Sequence, residues 1–246
     1  MHLLDVSSNT HQSISFAGCG ALNFYQVGVA QALSESILLR DATLLGASAG
    51  AGLAVLLSAG YDPYSIVRRM IHLVENTVGP SRFLGPEGVQ AVGEAFTDEF
   101  LQPDTFREVS HRVGLSITRL RPFGNIRASH FQSHQDLVDA LRAACFIPSR
   151  RRPAARYRGQ WCIDGGLTDN EPIVDQHTFR ISPLWTSIRA DIRPSPLHVG
   201  LHQMVRLPSR VRSWSLFDRG LRDGRLRLLS RRGTALLTTS QGNLSP

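Results

Sequence analysis

Three glycine-bearing turns, each directly after a strand-like run, constrain this chain more than any other feature. They are Gly18-Cys19-Gly20 after residues 12–17, Gly46-Ala47-Ser48-Ala49-Gly50 after 43–45, and Asp164-Gly165-Gly166 after 161–163. The runs before them are short and apolar or alternating, as strands are. Helical spacing follows the first two: Leu22, Tyr25, Val29 and Leu33 within 21–37, then the apolar stretch 51–59. Strand, turn and helix in alternation read as an α/β sheet covered by helices. Open α/β sheets carry their sites at the carboxyl ends of strands, where all three turns fall.

Each turn has its own chemistry. Gly46 to Gly50 reads G-x-S-x-G. A serine on a sharp strand-to-helix turn sits in a strained backbone that projects its hydroxyl, and the flanking glycines remove side chains that would clash there. The following helix aims its positive end at the site. Gly18-Cys19-Gly20 opens a helix, where free backbone N–H groups bind an anion: a nucleotide phosphate or the oxyanion of a tetrahedral intermediate. A dinucleotide site asks for a third glycine where Asn23 stands, and for an acid ending the second strand, whereas Asp41 precedes it. Asp164, followed by Gly165 and Gly166, offers a base that another backbone can approach closely; Asp-Gly also ends strands as a plain turn. Together the turns supply the nucleophile, base and oxyanion donors of an acyl hydrolase.

Composition removes other chemistries. All 27 basic residues are arginine, so there is no P-loop lysine, no Schiff-base lysine and no kinase strand lysine. The 246 residues, 42% hydrophobic, suffice for one well-cored domain. Cys19, Cys145 and Cys162 form neither a zinc pattern nor a disulfide framework and read as reduced, buried residues; a Cys145–Cys162 bridge stays open. His130 and His134, and His198 and His202, are spaced i, i+4 without the H-E-x-x-H glutamate, so no metal is expected. Residues 1–10 are polar and show no signal peptide, and the uncharged stretch 42–61 is too rich in Gly, Ala and Ser for a membrane span.

Charge is uneven. Residues 1–148 hold 10 Arg against 13 acids, and 149–246 hold 17 Arg against 7. An anionic partner, phospholipid or nucleic acid, fits this asymmetry, and so does a solvated arginine-rich face. Trp214, Phe217, Leu221 and Leu228 recur at near-helical spacing among nine arginines between Arg206 and Arg232. That pattern suits a membrane-surface helix or a core-facing helix with a basic outer face, and Gly220 and Gly224 weaken it as an isolated helix.

Elsewhere, Asp62-Pro63 starts a helix reaching about Glu75, with Asp as N-cap and Pro at the first helical position. Residues 77–88 read as a loop, with short helical patterns to about 107. Strands are expected at 113–118 and 125–129, a helix at 133–145, a basic loop at 150–158, a strand at 177–181, and a frayed polar tail from about 230.

The segments SFAGCGALNFYQVGVAQAL, GASAG and DGG, with GLSITRLRPFGNIRASHFQSHQDLVDALRAACFIPS, WCIDGGLTDNEP and FRISPL, resemble a patatin-like phospholipase domain. Within that family they are similar to the animal adipose triglyceride lipase and adiponutrin branch. The resemblance covers about residues 13–233, leaving short termini at 1–12 and 234–246. It implies a three-layer α/β/α sandwich with a mostly parallel central sheet. It also implies a Ser–Asp dyad without a catalytic histidine: Ser48 as nucleophile, Asp164 as base, and the amides of Gly18, Cys19 and Gly20 as oxyanion hole. Two departures stand out. Asn23 takes the place of the motif's last glycine, and the sequence stops soon after the domain, whereas that branch carries a long C-terminal extension tied to lipid-droplet targeting.

The expected activity is hydrolysis of glycerolipid esters, triacylglycerol foremost, through an acyl-enzyme and without a cofactor. The alternatives are a catalytically weak lipid-surface binder or regulator, and acyl transfer or phospholipase A activity on phospholipids. Expected partners are a glycerolipid at a lipid–water interface and a protein coactivator, in the cytoplasm at membranes or lipid droplets. No nucleic acid is expected, because the arginines lack interleaved stacking aromatics or a recognition helix.

Overall fold

The structure, a computed structural model, describes residues 13–35, 39, 42–78, 83, 85–195 and 201–241; of 201–202 and 231–241 only the backbone is described. Seven strands form one sheet: β1 (Ser13–Phe16), β2 (Thr43–Ala47), β3 (Val113–Leu120), β4 (Phe123–Ala128), β5 (Ala155–Tyr157), β6 (Gln160–Asp164) and β7 (Phe179–Ile181). The helices are α1 (Asn23–Ser34), α2 (Ala49–Ser58), α3 (Pro63–Thr77), α4 (Pro86–Phe100), α5 (Thr105–Val109), α6 (His134–Ala144) and α7 (Arg210–Gln241). β7, β1, β2 and β3 are parallel neighbours, β4 and β6 run against β3, and β5 runs against β6. The sheet is therefore mixed but mostly parallel, in an α/β architecture flanked by helices.

β3 is the hub. Its residues 115–120 pair with β4 on one edge. On the other edge, residues 44–47 of β2 pair in parallel with 113–116, and residues 162–164 of β6 pair antiparallel with 117–119. The β4 ladder occupies one side of both Ser116 and Ile117. Their other partners, Ala47 and Asp164, therefore share the opposite side. Two strands running in opposite directions thus end head to head, and the residue after one of those ends is Ser48.

Across the register Ile14, Leu44 and Val113 stand side by side; Ile14 and Leu44 are buried in an apolar cluster with residues of α1 and α2, and Val113 in a second cluster with residues of α2 and α6. α2 is buried throughout residues 50–58, which is why it carries no charge and is apolar all round. α3 begins as its sequence demands: Asp62 accepts a hydrogen bond from the Ser65 amide at 2.8 Å, with Pro63 in the first turn. Ser133 caps α6 in the same way through the Asp136 amide at 3.1 Å.

Several expectations are corrected. The helix expected over 21–37 starts at Asn23, after a tight 3-10 turn over Gly20–Leu22, and ends at Ser34; residues 36–37 lie outside the described residues. The short helical patterns before residue 107 are the 15-residue α4 followed by α5, and α4 starts inside the expected loop. The basic loop at 150–158 contains β5, in which Ala155 and Tyr157 are buried and Arg156 is exposed. The expected frayed tail is helical through Gln241. All three cysteines are free, so no Cys145–Cys162 bridge exists.

The C-terminal helix resolves its two readings toward the core. Phe217 and Leu221 are buried, and Trp214 and Leu228 pack against the same cluster. Among its described arginines, Arg210, Arg222 and Arg225 are exposed, and several are paired: Arg210 with Glu75 and Arg225 with Glu35, both at 2.7 Å, and Arg227 with Asp191 at 3.3 Å. Gly220 and Gly224 sit where α7 crosses α1. A Cβ on Gly220 would collide with the Tyr25 carbonyl, and one on Gly224 would meet the Ala32 side chain at 2.6 Å. Among the described residues no helix is long and apolar enough to cross a membrane.

Candidate active site

Ser48 joins β2 to α2 with φ 50° and ψ −128°, a left-handed conformation that costs a non-glycine residue energy and persists only where its surroundings impose it. The imposing contacts are backbone ones. A Cβ on Gly46 would collide with the Gly50 carbonyl, and one on Gly50 with the carbonyls of Phe16 and Ala17. The glycines of G-x-S-x-G thus let the turn close on itself and let α2 approach the end of β1. That approach brings Ser48 beside the first turn: a Cβ on Gly18 would lie 3.2 Å from Ser48 Cβ.

Asp164 reaches Ser48 from the opposing strand end. Its amide donates to the Phe146 carbonyl at 2.9 Å, and the Thr118 hydroxyl donates to its own carbonyl at 2.7 Å. Its carboxylate accepts the Gly166 N–H at 2.7 Å and faces the Ser48 side chain. Burial pushes the carboxyl above its ordinary value, and Ser48 and the Gly166 N–H only partly oppose that rise. Gly165 allows the turn to pack on β3, since a Cβ there would collide with the Ser116 carbonyl.

The first turn differs in one respect from the sequence expectation of three oxyanion donors. The Gly18 N–H is committed to the Asn170 carbonyl at 3.2 Å, so it is not available. Among the described residues the amides of Cys19 and Gly20 donate to no protein acceptor, and they open the 3-10 turn that leads into α1. Gly20 has φ +53°, and a Cβ there would collide with the Met204 carbonyl, which explains a glycine at this position. Asn23 lies inside α1, past the turn, and also lines the site.

Ser48, Asp164 and Gly18–Gly20 share one cavity of about 670 Å³. Its wall is mainly apolar, with Met70 and Val74 from α3, Val89 and Phe96 from α4, and Phe146 and Ile163 near the dyad. Ile147, Leu167 and Val205 line it while remaining exposed. Among the described residues no histidine lines it. His177 is exposed, His130 stacks on His111 with ring centroids 4.6 Å apart, and His134 contacts the Gln102 carbonyl. His198 lies outside the described residues, as does the His202 side chain. Cys19 and Cys145 line the cavity too, but burial, reinforced by the Asp164 charge, drives both thiols far up and keeps them protonated. Among the described residues no group of three or more His, Cys, Asp or Glu is arranged to hold a metal ion.

The serine, the aspartate and the glycine turns that the sequence singles out meet at this cavity, and the residues that hold them in place carry no motif in the sequence. Ser116 and Thr118 alternate along β3; Thr118 bonds the end of β6 at Asp164, Ser116 bonds the chain beyond it at Asp169, and Asn170 bonds Gly18. The period of two at Ser116 and Thr118 inside an apolar strand was the available signal.

The family model described as patatin-like phospholipase matches residues 14–175. The 1-acylglycerol-3-phosphate O-acyltransferase Pnpla3 of Mus musculus is 37% identical over 183 residues, covering 70% of this chain and 44% of that protein. Patatin-like phospholipase domain-containing protein 2 of Homo sapiens is 34% identical over 203 residues, covering 78% and 39%. The omega-hydroxyceramide transacylase of Homo sapiens is 34% identical over 173 residues, covering 67% and 32%. The chain spans less than half the length of these curated relatives. A family match over residues 14–175, with relatives above 30% identity across two thirds or more of the chain, means that the chain belongs to the patatin-like phospholipase family.

Proposed function

We propose that the protein is a serine acyl hydrolase acting on glycerolipid esters, triacylglycerol foremost, through a Ser48–Asp164 dyad. One observation carries this reading: a strained Ser48 beside a buried carboxylate, at an apolar cavity whose described lining contains no histidine. The raised carboxyl makes Asp164 a better proton acceptor than an ordinary aspartate while leaving it an acid for the return step.

Ser48 Oγ attacks the ester carbonyl carbon as its proton passes to Asp164. The carbonyl oxygen becomes an oxyanion facing the N–H groups of Cys19 and Gly20, each such donor being worth roughly 3–4 kcal/mol of barrier. The C–O bond to the alcohol breaks, and the proton on Asp164 goes to the leaving alkoxide. Water, deprotonated by Asp164, repeats the sequence on the acyl-enzyme and frees the fatty acid. The apolar cavity takes the acyl chain. A lipid–water interface is the partner that presents such chains, and peripheral attachment to membranes or lipid droplets in the cytoplasm, with a protein coactivator, belongs to the same reading.

Acyl transfer is the second reading. Two of the similar proteins are named as an O-acyltransferase and a transacylase, and an acyl-enzyme can pass its acyl group to a lipid alcohol instead of water. Fluorophosphonate labelling with peptide mapping tests the nucleophile: the adduct is expected on Ser48 alone, and a label on another serine of active protein refutes the assignment. Product analysis with tri-, di- and monoacylglycerols and phospholipids then divides hydrolysis from transfer.

A further inference from the structure

The chain leaving Asp164 is latched to the sheet and delivers one residue to the opposite turn. Thr168 Oγ1 lies 2.8 Å from Thr118 Oγ1 and accepts from Asn125 Nδ2 at 2.9 Å. Asp169 is paired with Arg127 at 2.8 Å, and its carbonyl accepts from Ser116 Oγ at 2.8 Å. With these contacts made to β3 and β4, Asn170 meets Gly18 twice. Its carbonyl accepts the Gly18 N–H, and its side-chain Nδ2 donates to the Gly18 carbonyl, both at 3.2 Å. Its Oδ1 occupies the space that a Cβ on either Gly18 or Gly166 would need. Both motif glycines therefore make room for the same side chain.

The Gly18 carbonyl and the Cys19 amide belong to one peptide plane, and in a trans peptide they point in opposite directions. The preceding plane is anchored separately, because the buried Gln26 donates Nε2 to the Ala17 carbonyl at 2.9 Å. Holding the Gly18 carbonyl on Asn170 Nδ2 thus sets the direction of the Cys19 N–H, which has no protein acceptor among the described residues. We propose that Asn170 is the positioning residue that aims the Cys19 amide at the oxyanion. It also ties that donor to the base, since it packs on Gly166, whose N–H holds the Asp164 carboxylate. The inference rests on Cys19 and Gly20 being the oxyanion donors. Without Nδ2 the peptide plane is free to turn, and the loss falls on the transition state, where negative charge has developed, more than on bound ester.

The test uses the whole chain with Asn170→Ala and the isosteric Asn170→Asp. A soluble short-chain ester gives kcat and KM separately, and a trifluoromethyl ketone, which forms a tetrahedral oxyanion on the serine, gives affinity for a transition-state analogue. The expected result is a fall in kcat of about 10- to 100-fold with KM within about twofold, and ketone affinity falling in step with kcat/KM. Asn170→Asp, which sets an acceptor against the Gly18 carbonyl, should fall at least as far, and it carries the measurement if the alanine variant does not fold. A folded variant with kcat within about twofold of the parent overturns the proposal, as does a loss confined to KM with unchanged ketone affinity. Failure of the underlying reading is seen separately: the parent enzyme would not be inhibited by the ketone at all, and the inference would fall with it.

Discussion

The crossing of α1 and α7 and the turns around Ser48 both depend on backbones approaching so closely that only glycine fits, yet they do opposite things. At the crossing, Gly28 faces the Phe217 carbonyl and Gly220 the Tyr25 carbonyl, both helices keep ordinary geometry, and Phe217 and Leu221 are buried beside them. Full burial of such side chains is worth about 1.5–3 kcal/mol each. Around Ser48 the close approaches at Gly18, Gly46, Gly50 and Gly165 hold a left-handed serine and a desolvated carboxylate. The first arrangement stabilises the fold. The second holds strain and a disfavoured charge that the rest of the fold must sustain.

The largest expected effects separate these two roles. Gly220→Val should cost about 1–3 kcal/mol or more of stability by forcing the helices apart, with kcat per folded molecule kept within about twofold. Gly18→Ala displaces the Asn170 side chain instead, and should cost about tenfold or more in kcat for a smaller change in the urea midpoint. Urea unfolding and soluble-ester kinetics on both variants check this. If both lose stability and activity in the same proportion, the distinction between the regions is lost.

A second, smaller effect concerns Asp164 and has a definite sign. Its carboxyl titrates higher in the folded protein than the ordinary 3.8, so ionisation at neutral pH works against folding. The wild-type fold therefore loses stability as pH rises from the unfolded value through the raised folded value. Asp164→Asn, which keeps an acceptor for the Gly166 N–H, should melt higher than wild type at neutral pH while being inactive. The gain should vanish at pH below 3.8, where both states of the wild type are protonated. Equal melting temperatures at neutral pH would mean that the carboxylate is not destabilised by its surroundings.

The smallest effect is expected at histidine. His177→Gln should lower kcat by less than about tenfold, under about 1.4 kcal/mol, because His177 is exposed and outside the cavity lining. A folded His177→Gln protein as inactive as Ser48→Ala would replace the dyad with a triad.

What the amino-acid sequence disclosed follows the range of the interactions involved. Asp62-Pro63 and the Ser133 cap act within three residues, and both helix starts were legible. The Ser48 elbow was legible because its glycines lie two residues away. β5 was hidden because its alternation spans only three residues among arginines, and the start of α4 was hidden because its first residues continue a stretch rich in Gly and Pro. Least legible was the meeting of Ala47 and Asp164 on one edge of β3, a matter of strand direction across more than a hundred residues. Asn170 was invisible for the same reason, since its partner Gly18 lies 152 positions away.

The central claim is that Ser48 and Asp164 act as one unit, and a double-mutant cycle on kcat tests it most directly. Ser48→Ala, Asp164→Asn and the double variant would be measured on a soluble ester after each is shown to be folded. The dyad predicts that Asp164→Asn is nearly as inactive as Ser48→Ala and that the double variant is hardly worse than either. Substantial turnover in Asp164→Asn, or losses that multiply in the double variant, would contradict it.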